Sequence, residues 1–147
     1  MTVVAYSFKP YFTPQIEDLT KCQTVRSDRP RHAQPGEPVQ LYQGMRTRRC
    51  RRIVADQVCT ANLPVQIKLS DLLDELIASI VVNDIQLHRD EVEEFACKDG
   101  FHPDRLQLIH NGGRAKSARH NMGIFWQRHH PGVVDFCGRL IRWKPVG

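Results

Sequence analysis

With 147 residues, 41% of them hydrophobic and 25% charged, the chain has the composition of one globular domain with a single core. Its longest apolar run, residues 77–82, is broken by Ser79 and stopped by Asn83 and Asp84. That is far short of the roughly 18–20 residues of a membrane span, and residues 1–10 lack the basic start and apolar stretch of a signal peptide. Five cysteines, at 22, 50, 59, 97 and 137, form an odd set without a Cys-x-x-Cys pair, which fits reduced thiols in a cytoplasmic protein. A membrane protein, a secreted disulfide scaffold and a collagen-like or low-complexity chain are excluded.

In chain order, Val3, Val4, Tyr6 and Phe8 predict a first strand ending at Pro10. Thr13 before Pro14 reads as an N-cap with proline at the first helical position, opening a short helix to about Thr20. Residues 23–26 read as extended, and residues 27–36, rich in arginine and proline, as an exposed loop. Gly36-Glu37-Pro38 is a turn that feeds a strand at residues 39–42. Residues 52–60 and 65–69 make two further strands, separated by Asn62 and Pro64. Ser70 is set to cap a short helix with Leu72, Leu73, Leu76 and Ile77 on one side, and a strand follows at residues 79–87.

Residues 89–98 carry the clearest helical signal. Acids at 90, 91, 93 and 94 sit near its positive end, Lys98 near its negative end and Gly100 at the stop. Val92, Phe95 and Ala96 form its inward stripe. Pro103 opens a short helix carrying Leu106, Leu108 and Ile109, ended by Asn111-Gly112-Gly113. Residues 114–121 read as a mobile basic loop, 122–130 as a helix or wide turn, and 133–143 as a closing strand. Short strands interleaved with a few short helices predict an α+β fold in a single domain, residues 1–147, as a curled sheet or small β-barrel with helices at its ends. The open mouth of such a barrel is a common ligand site.

The net charge of +5 is unevenly spread. Residues 26–52 hold eight arginines against Asp28 and Glu37, residues 70–104 hold ten acids against Arg89 and Lys98, and residues 105–147 hold eight bases against Asp135. Fifteen of the 21 basic residues are arginine, whose planar fork suits phosphates and whose face suits bases. A polyanion is the natural partner. Tyr42 stands just before a ribbon holding Arg46, Arg48, Arg49, Arg51 and Arg52, a combination suited to neutralising a backbone while stacking a base. A solvated hairpin explains the same residues without a ligand.

The stretch Lys21-Cys22-Gln23-Thr24-Val25-Arg26 falls where the first helix meets the next strand. On a strand, Thr24 and Arg26 share a face and Lys21 falls opposite unless the chain turns between them. A buried lysine near other cations can act as general base toward a hydroxyl nucleophile. Equally, Lys21 and Arg26 can neutralise phosphates while Thr24 is an ordinary strand residue.

These residues resemble the signature of the ASCH domains, relatives of the PUA RNA-binding fold, whose pattern is Gly-x-Lys-x-x-(Glu or Thr)-x-Arg. Lys21, Thr24 and Arg26 fill its fixed positions, and Leu19 stands where the family has glycine. The wider frame is similar over about residues 3–143, with gaps: SFKPYF before the helix, PGEP leading into VQLY, and an acidic helix ending in Ala96-Cys97-Lys98-Asp99-Gly100-Phe101. Near the end, MGIFWQRHH and GRLIRW resemble a phage-encoded branch. The resemblance implies a PUA-like small β-barrel that binds RNA or a modified nucleoside at its mouth, in the cytoplasm of a bacterial host. Arg26, Tyr42 and the five ribbon arginines would make the nucleic-acid contacts.

In one branch of the family, amidohydrolases acting on N4-acetylcytidine, the motif's lysine and threonine and a downstream glutamate are taken as the catalytic set. For this chain the resemblance implies Thr24 as nucleophile, Lys21 as base and Asp99, one methylene shorter than glutamate, as assisting acid. RNA cleavage is a second activity that the family implies. A third class of function is an accessory protein that binds a host protein through its acidic residues 70–104. No metal is expected, because His129, His130 and Cys137, or Cys97 and His102, lack the paired two-to-four-residue spacing of a structural zinc site. No phosphate-loop, dinucleotide or nucleophile-elbow motif is present, so no cofactor is expected. Trp126 and Trp143 read as core aromatics.

Overall fold

The computed structural model describes residues 3–146. In chain order it has β1 (Val4–Phe8), a 3-10 turn (Pro10–Phe12) running into α1 (Thr13–Glu17), β2 (Gln23–Ser27), β3 (Pro38–Gln43) and β4 (Arg51–Arg52). Then follow β5 (Gln57–Leu69), β6 (Ile77–Val82), β7 (Ile85–Gln86), α2 (Arg89–Ala96) with a π-turn (Cys97–Phe101), β8 (Ile109–His110), β9 (Gly113–Arg114), α3 (Ala118–His129) and β10 (Asp135–Pro145). The fold is α+β, mostly sheet with three short helices among the described residues. None of the described helices is long and apolar enough to cross a membrane. The chain divides into two compact units, one running up to Leu63 and from Arg139 onward, the other covering residues 64–138. Both β5 and β10 have residues in each.

In the first unit the strand order is β1-β3-β5-β10-β2, with β4 beside β3. β1 runs parallel to β3, Val4 opposite Val39 and Phe8 opposite Gln43. β3 is antiparallel to β4 and β5. Val4, Tyr6 and Phe8 alternate inward along β1 with the two-residue period of a half-buried strand. They join Ile16, Val39, Leu41, Leu140 and Trp143 in the core. β1 and β2 are the two ends of the strand order, so the sheet is not closed into a barrel by backbone pairing.

In the second unit the latter part of β5 pairs antiparallel with β6, Val65 opposite Val82 and Ile67 opposite Ile80. β6 turns into β7 through Asn83 and Asp84, both at positive φ, the mirror-image turn that matches the twist of a two-residue hairpin. The stripe Val92, Phe95 and Ala96 of α2 is buried, as its spacing predicts. Glu93 of α2 accepts hydrogen bonds from the backbone N–H of Ala118 and Arg119, and Ser117 Oγ accepts from His120 N–H at 3.0 Å. Between them they satisfy donors that the first turn of α3 would leave orphaned. A Cβ at Gly123 would stand 2.7 Å from the Glu75 carbonyl oxygen, so glycine sets how closely α3 approaches the segment before β6.

Several local expectations are corrected. Residues 57–69 form one strand, in which Pro64 still supplies its carbonyl to Asn83 N–H at 2.9 Å; the expected break at Asn62 and Pro64 falls instead at the boundary of the two units. No helix follows Ser70. Its hydroxyl accepts from Leu72 N–H, turns close at Leu73 and Leu76, and Leu76 takes a left-handed φ of 68° before β6. No helix follows Pro103 either, because Asn121 of α3 takes the backbone groups a helix would pair. Its amide donates to the carbonyls of Phe101 and Leu106 and its oxygen accepts from Leu108 N–H. Residues 118–121, expected within a loop, are the first turn of α3.

Candidate nucleic-acid interface

The local sequence sets the geometry of the motif. At the end of α1, Thr20 N–H donates to the Gln15 carbonyl at 3.0 Å and Leu19 N–H to the Ile16 carbonyl at 3.3 Å, while Leu19 sits at φ 68°. This is a Schellman cap, whose left-handed residue is usually glycine. The position where the ASCH pattern has glycine is therefore a left-handed one here, and a leucine there costs about 1–2 kcal/mol. Asp18 helps hold the turn by accepting from both the N–H and the hydroxyl of Thr20. Lys21 N–H then also reaches the Gln15 carbonyl at 3.0 Å, and the chain enters β2.

Lys21 and Thr24 are 2% and 6% exposed, unusual for these residue types. The Lys21 ammonium donates to the Gln23 carbonyl at 2.8 Å and stands 4.7 Å from the Phe12 ring centroid and 5.6 Å from that of Phe8. Ring faces and a carbonyl oxygen are a setting that accepts a buried cation. Thr24 Oγ1 accepts from Arg26 Nε at 3.0 Å. Arg26 Nη2 donates to the Ser7 carbonyl at 2.6 Å, and its guanidinium lies 4.8 Å from the Phe8 ring and 5.4 Å from that of Tyr6. Burial pushes the Cys22 thiol above its ordinary value, and neighbouring Lys21 opposes this.

The arginine ribbon belongs to the same unit and is fastened to the same strand. Met45 N–H donates to Ser7 Oγ at 3.1 Å, so Ser7 holds Arg26 with its carbonyl and the ribbon loop with its hydroxyl. Thr13 Oγ1 donates to Gln43 Oε1 at 2.7 Å, and Arg51 pairs with Glu17 at 3.7 Å, linking the two strands of the ribbon to α1. Gly44 and Arg46 take positive φ in the turn. Arg46, Arg48, Arg49, Arg51 and Arg52 are all exposed. Arg52 is paired with Asp56, whereas Arg46, Arg48 and Arg49 have no acidic partner among the described residues. Tyr42 is half-buried, its hydroxyl donating to Gln40 at 3.1 Å.

A second set of residues belongs to no motif in the sequence. Arg29 lies 4.6 Å from the Tyr6 ring and donates to the Ala5 carbonyl. His32 Nε2 lies 2.9 Å from the Ser27 carbonyl and Nδ1 lies 2.9 Å from the Tyr6 hydroxyl. A carbonyl only accepts, so Nε2 carries the proton and Nδ1 accepts from Tyr6. Burial pushes the His32 imidazole below its ordinary value, the Ser27 carbonyl opposes this and Arg29 adds to it. Gln15 and Gln23 are also buried beside the motif. One cue was available: Tyr6 and Phe8, two apart on β1, share the face that meets Arg26.

Asp99 belongs to the second unit. It is 5% exposed, in the π-turn after α2, directly before Gly100 at φ 99°. Lys21, Thr24, Arg26, Tyr42 and the ribbon arginines are together in the first unit. Among the described residues no group of three or more His, Cys, Asp or Glu is arranged to hold a metal ion, and all five cysteines are free. Comparisons with protein-family models, with curated proteins and with solved structures return no match.

Proposed function

We propose that the first unit binds single-stranded RNA or a modified nucleoside. In this reading Lys21, Thr24 and Arg26 line the recognition end, and the exposed arginines after β3 follow the phosphates. The observation that carries it is the Ser7 junction, which fastens the motif's arginine and the ribbon loop to one strand. Unpaired, exposed Arg46, Arg48 and Arg49 are what a phosphate-tracking surface needs. The reading takes the fold to be a PUA-like barrel. In support, side chains span the gap between the two end strands: Arg26 of β2 reaches Ser7 of β1, and His32 links Tyr6 of β1 to Ser27 of β2. It also takes the protein to act in the cytoplasm of a bacterial host, as the ASCH resemblance implies.

The test is photocrosslinking to an oligoribonucleotide carrying 4-thiouridine. Crosslinks are expected within residues 42–52; crosslinks confined to residues 64–138 would contradict the proposal.

One observation favours a second reading, hydrolysis of an acylated cytidine: the near-complete burial of both Lys21 and Thr24, which is how active sites shape reactive groups. Thr24 would be the nucleophile and Lys21 the base, as the resemblance implies. Acetate release from N4-acetylcytidine is expected to be weak or absent in the wild-type chain and lost in Lys21→Ala and in Thr24→Ala. Turnover that survives Lys21→Ala removes this reading.

A further inference from the structure

β1 is an end strand of the sheet order, and two of its carbonyls go to arginine side chains: Ser7 to Arg26 at 2.6 Å and Ala5 to Arg29 at 3.3 Å. Arg29 stands in the loop after β2. Its Nε donates to the Arg31 carbonyl at 2.9 Å, and its guanidinium lies 4.6 Å from the centroid of the Tyr6 ring. Tyr6 is itself fixed. It is 1% exposed, and its hydroxyl donates to His32 Nδ1 at 2.9 Å and accepts from Ala33 N–H at 3.1 Å. Arg29, by contrast, is exposed. It is a solvent-facing cation whose head is held in place by a ring and two carbonyls.

A guanidinium has five N–H donors, and the two carbonyls take one from Nε and one from Nη2. Both hydrogens of Nη1 and one of Nη2 have no acceptor among the described residues. No acidic side chain among those residues pairs with Arg29. Asp28, its neighbour in the chain, is exposed and forms no ion pair with it, whereas Arg31 is already paired with Glu37. The ribbon residues Arg46, Arg48 and Arg49 differ in another way: their side chains make no hydrogen bond among the described residues. They attract a polyanion but must give up rotamer freedom to grip it. Arg29 has given up that freedom before any ligand arrives, so a contact there costs less ordering.

We propose that Arg29 is a further RNA-contacting residue, which takes one phosphate through the donors that Ala5 and Arg31 leave unused and so fixes where the strand lies on the first unit. This rests on the RNA-binding reading above and extends it. Ala5 is about 7 Å from Ser7 along the strand, and Ser7 Oγ holds the ribbon loop through Met45 N–H. One strand therefore carries the anchors of both the ribbon and Arg29. The ribbon supplies charge. Arg29 supplies a fixed fork, which meets phosphate oxygens at defined angles where an ammonium acts as a point charge. Phosphate contacts of this kind set register and orientation without reading sequence.

The test is the anisotropy of a fluorescein-labelled oligouridylate titrated with the full chain over a range of salt concentrations, below the melting temperature of every variant. Arg29→Ala is expected to weaken binding several-fold and to make the log–log salt slope shallower by about 0.7, the share of one phosphate on a single strand. Arg29→Lys keeps the charge, so it is expected to keep the wild-type slope and still bind several-fold more weakly. Arg114→Ala, which removes an exposed arginine of the second unit, is expected to change neither. A wild-type slope in Arg29→Ala overturns the proposal whatever happens to affinity, because the residue then only supports its loop. Wild-type affinity in Arg29→Lys overturns it too, since the fork then contributes nothing. So does an equal loss in Arg114→Ala, which marks an effect of net charge alone. A wild type that binds without salt dependence, or not at all, removes the RNA-binding reading and this proposal together. Salt-dependent binding that the Arg29 variants leave unaltered removes this proposal and leaves that reading standing.

Discussion

Arg26 donates through Nη2 to the carbonyl oxygen of Ser7 at 2.6 Å, joining the two strands that end the sheet order of the first unit. The same guanidinium donates through Nε to Thr24 and lies over Phe8. One planar fork makes all these contacts, and a lysine ammonium is a point charge without a stacking face. Arg26→Lys is therefore expected to lower stability by about 1–3 kcal/mol, read as a lower urea midpoint with an unchanged slope. A midpoint equal to that of the wild type would show that the bridge contributes nothing.

Leu19 sets the turn that delivers Lys21. Its φ of 68° favours glycine, and a β-branched residue there is a genuine outlier. Leu19→Gly is expected to be at least as stable as the wild type, because it removes the roughly 1–2 kcal/mol left-handed penalty, whereas Leu19→Val, stiff at χ1 as well, is expected to be less stable than the wild type. Thermal unfolding of the two variants side by side decides this. Equal stability would mean that the turn relaxes to another conformation.

His32 couples stability to pH. Burial first, and then Arg29, hold its imidazole below the ordinary value against the pull of Ser27, and burial also lowers His120 and His130. The unfolded chain takes up these protons near pH 6.5, while the folded chain takes them up only at lower pH. The unfolded state therefore binds more protons across that interval, and stability rises with pH there. The contribution is fully present above about pH 6.5–7 and is lost as pH falls through the depressed folded values. Melting temperature is expected to fall between about pH 7.5 and 5, and less steeply in His32→Gln, which starts lower. A variant with the wild-type slope would take His32 out of this account.

What could be read in the sequence were elements whose signals are local. The buried stripe of α2 and its stop at Gly100 follow from spacing, charge placement and a left-handed glycine. Asn111-Gly112 is not the helix stop expected after Pro103 but the two-residue turn of the β8–β9 hairpin, both residues at positive φ, and Asn-Gly is the strongest short hairpin signal. Ser117 likewise carries a local N-cap signal, within residues whose basic composition suggests a loop. The missing helix after Pro103 could not be foreseen, because Asn121, up to 20 residues away, takes its backbone groups.

The site divides in the same way. Lys21, Thr24 and Arg26 stand out at one junction through their motif spacing. Ser7, Tyr6 and His32 do not, since Ser7 meets Met45 from 38 positions away and Tyr6 meets His32 from 26. Buried polar partners of that kind follow from the path of the chain and leave no periodic trace.

The central claim is that exposed arginines after β3 neutralise RNA phosphates. Its most direct measurement is the affinity for a single-stranded oligoribonucleotide as a function of salt, in the wild type and in Arg48→Ala combined with Arg49→Ala. The account predicts a linear log–log decline of about 0.7 per phosphate neutralised, and a slope shallower by about 1.4 in the double variant. An affinity independent of salt, or the same slope in both proteins, would contradict it.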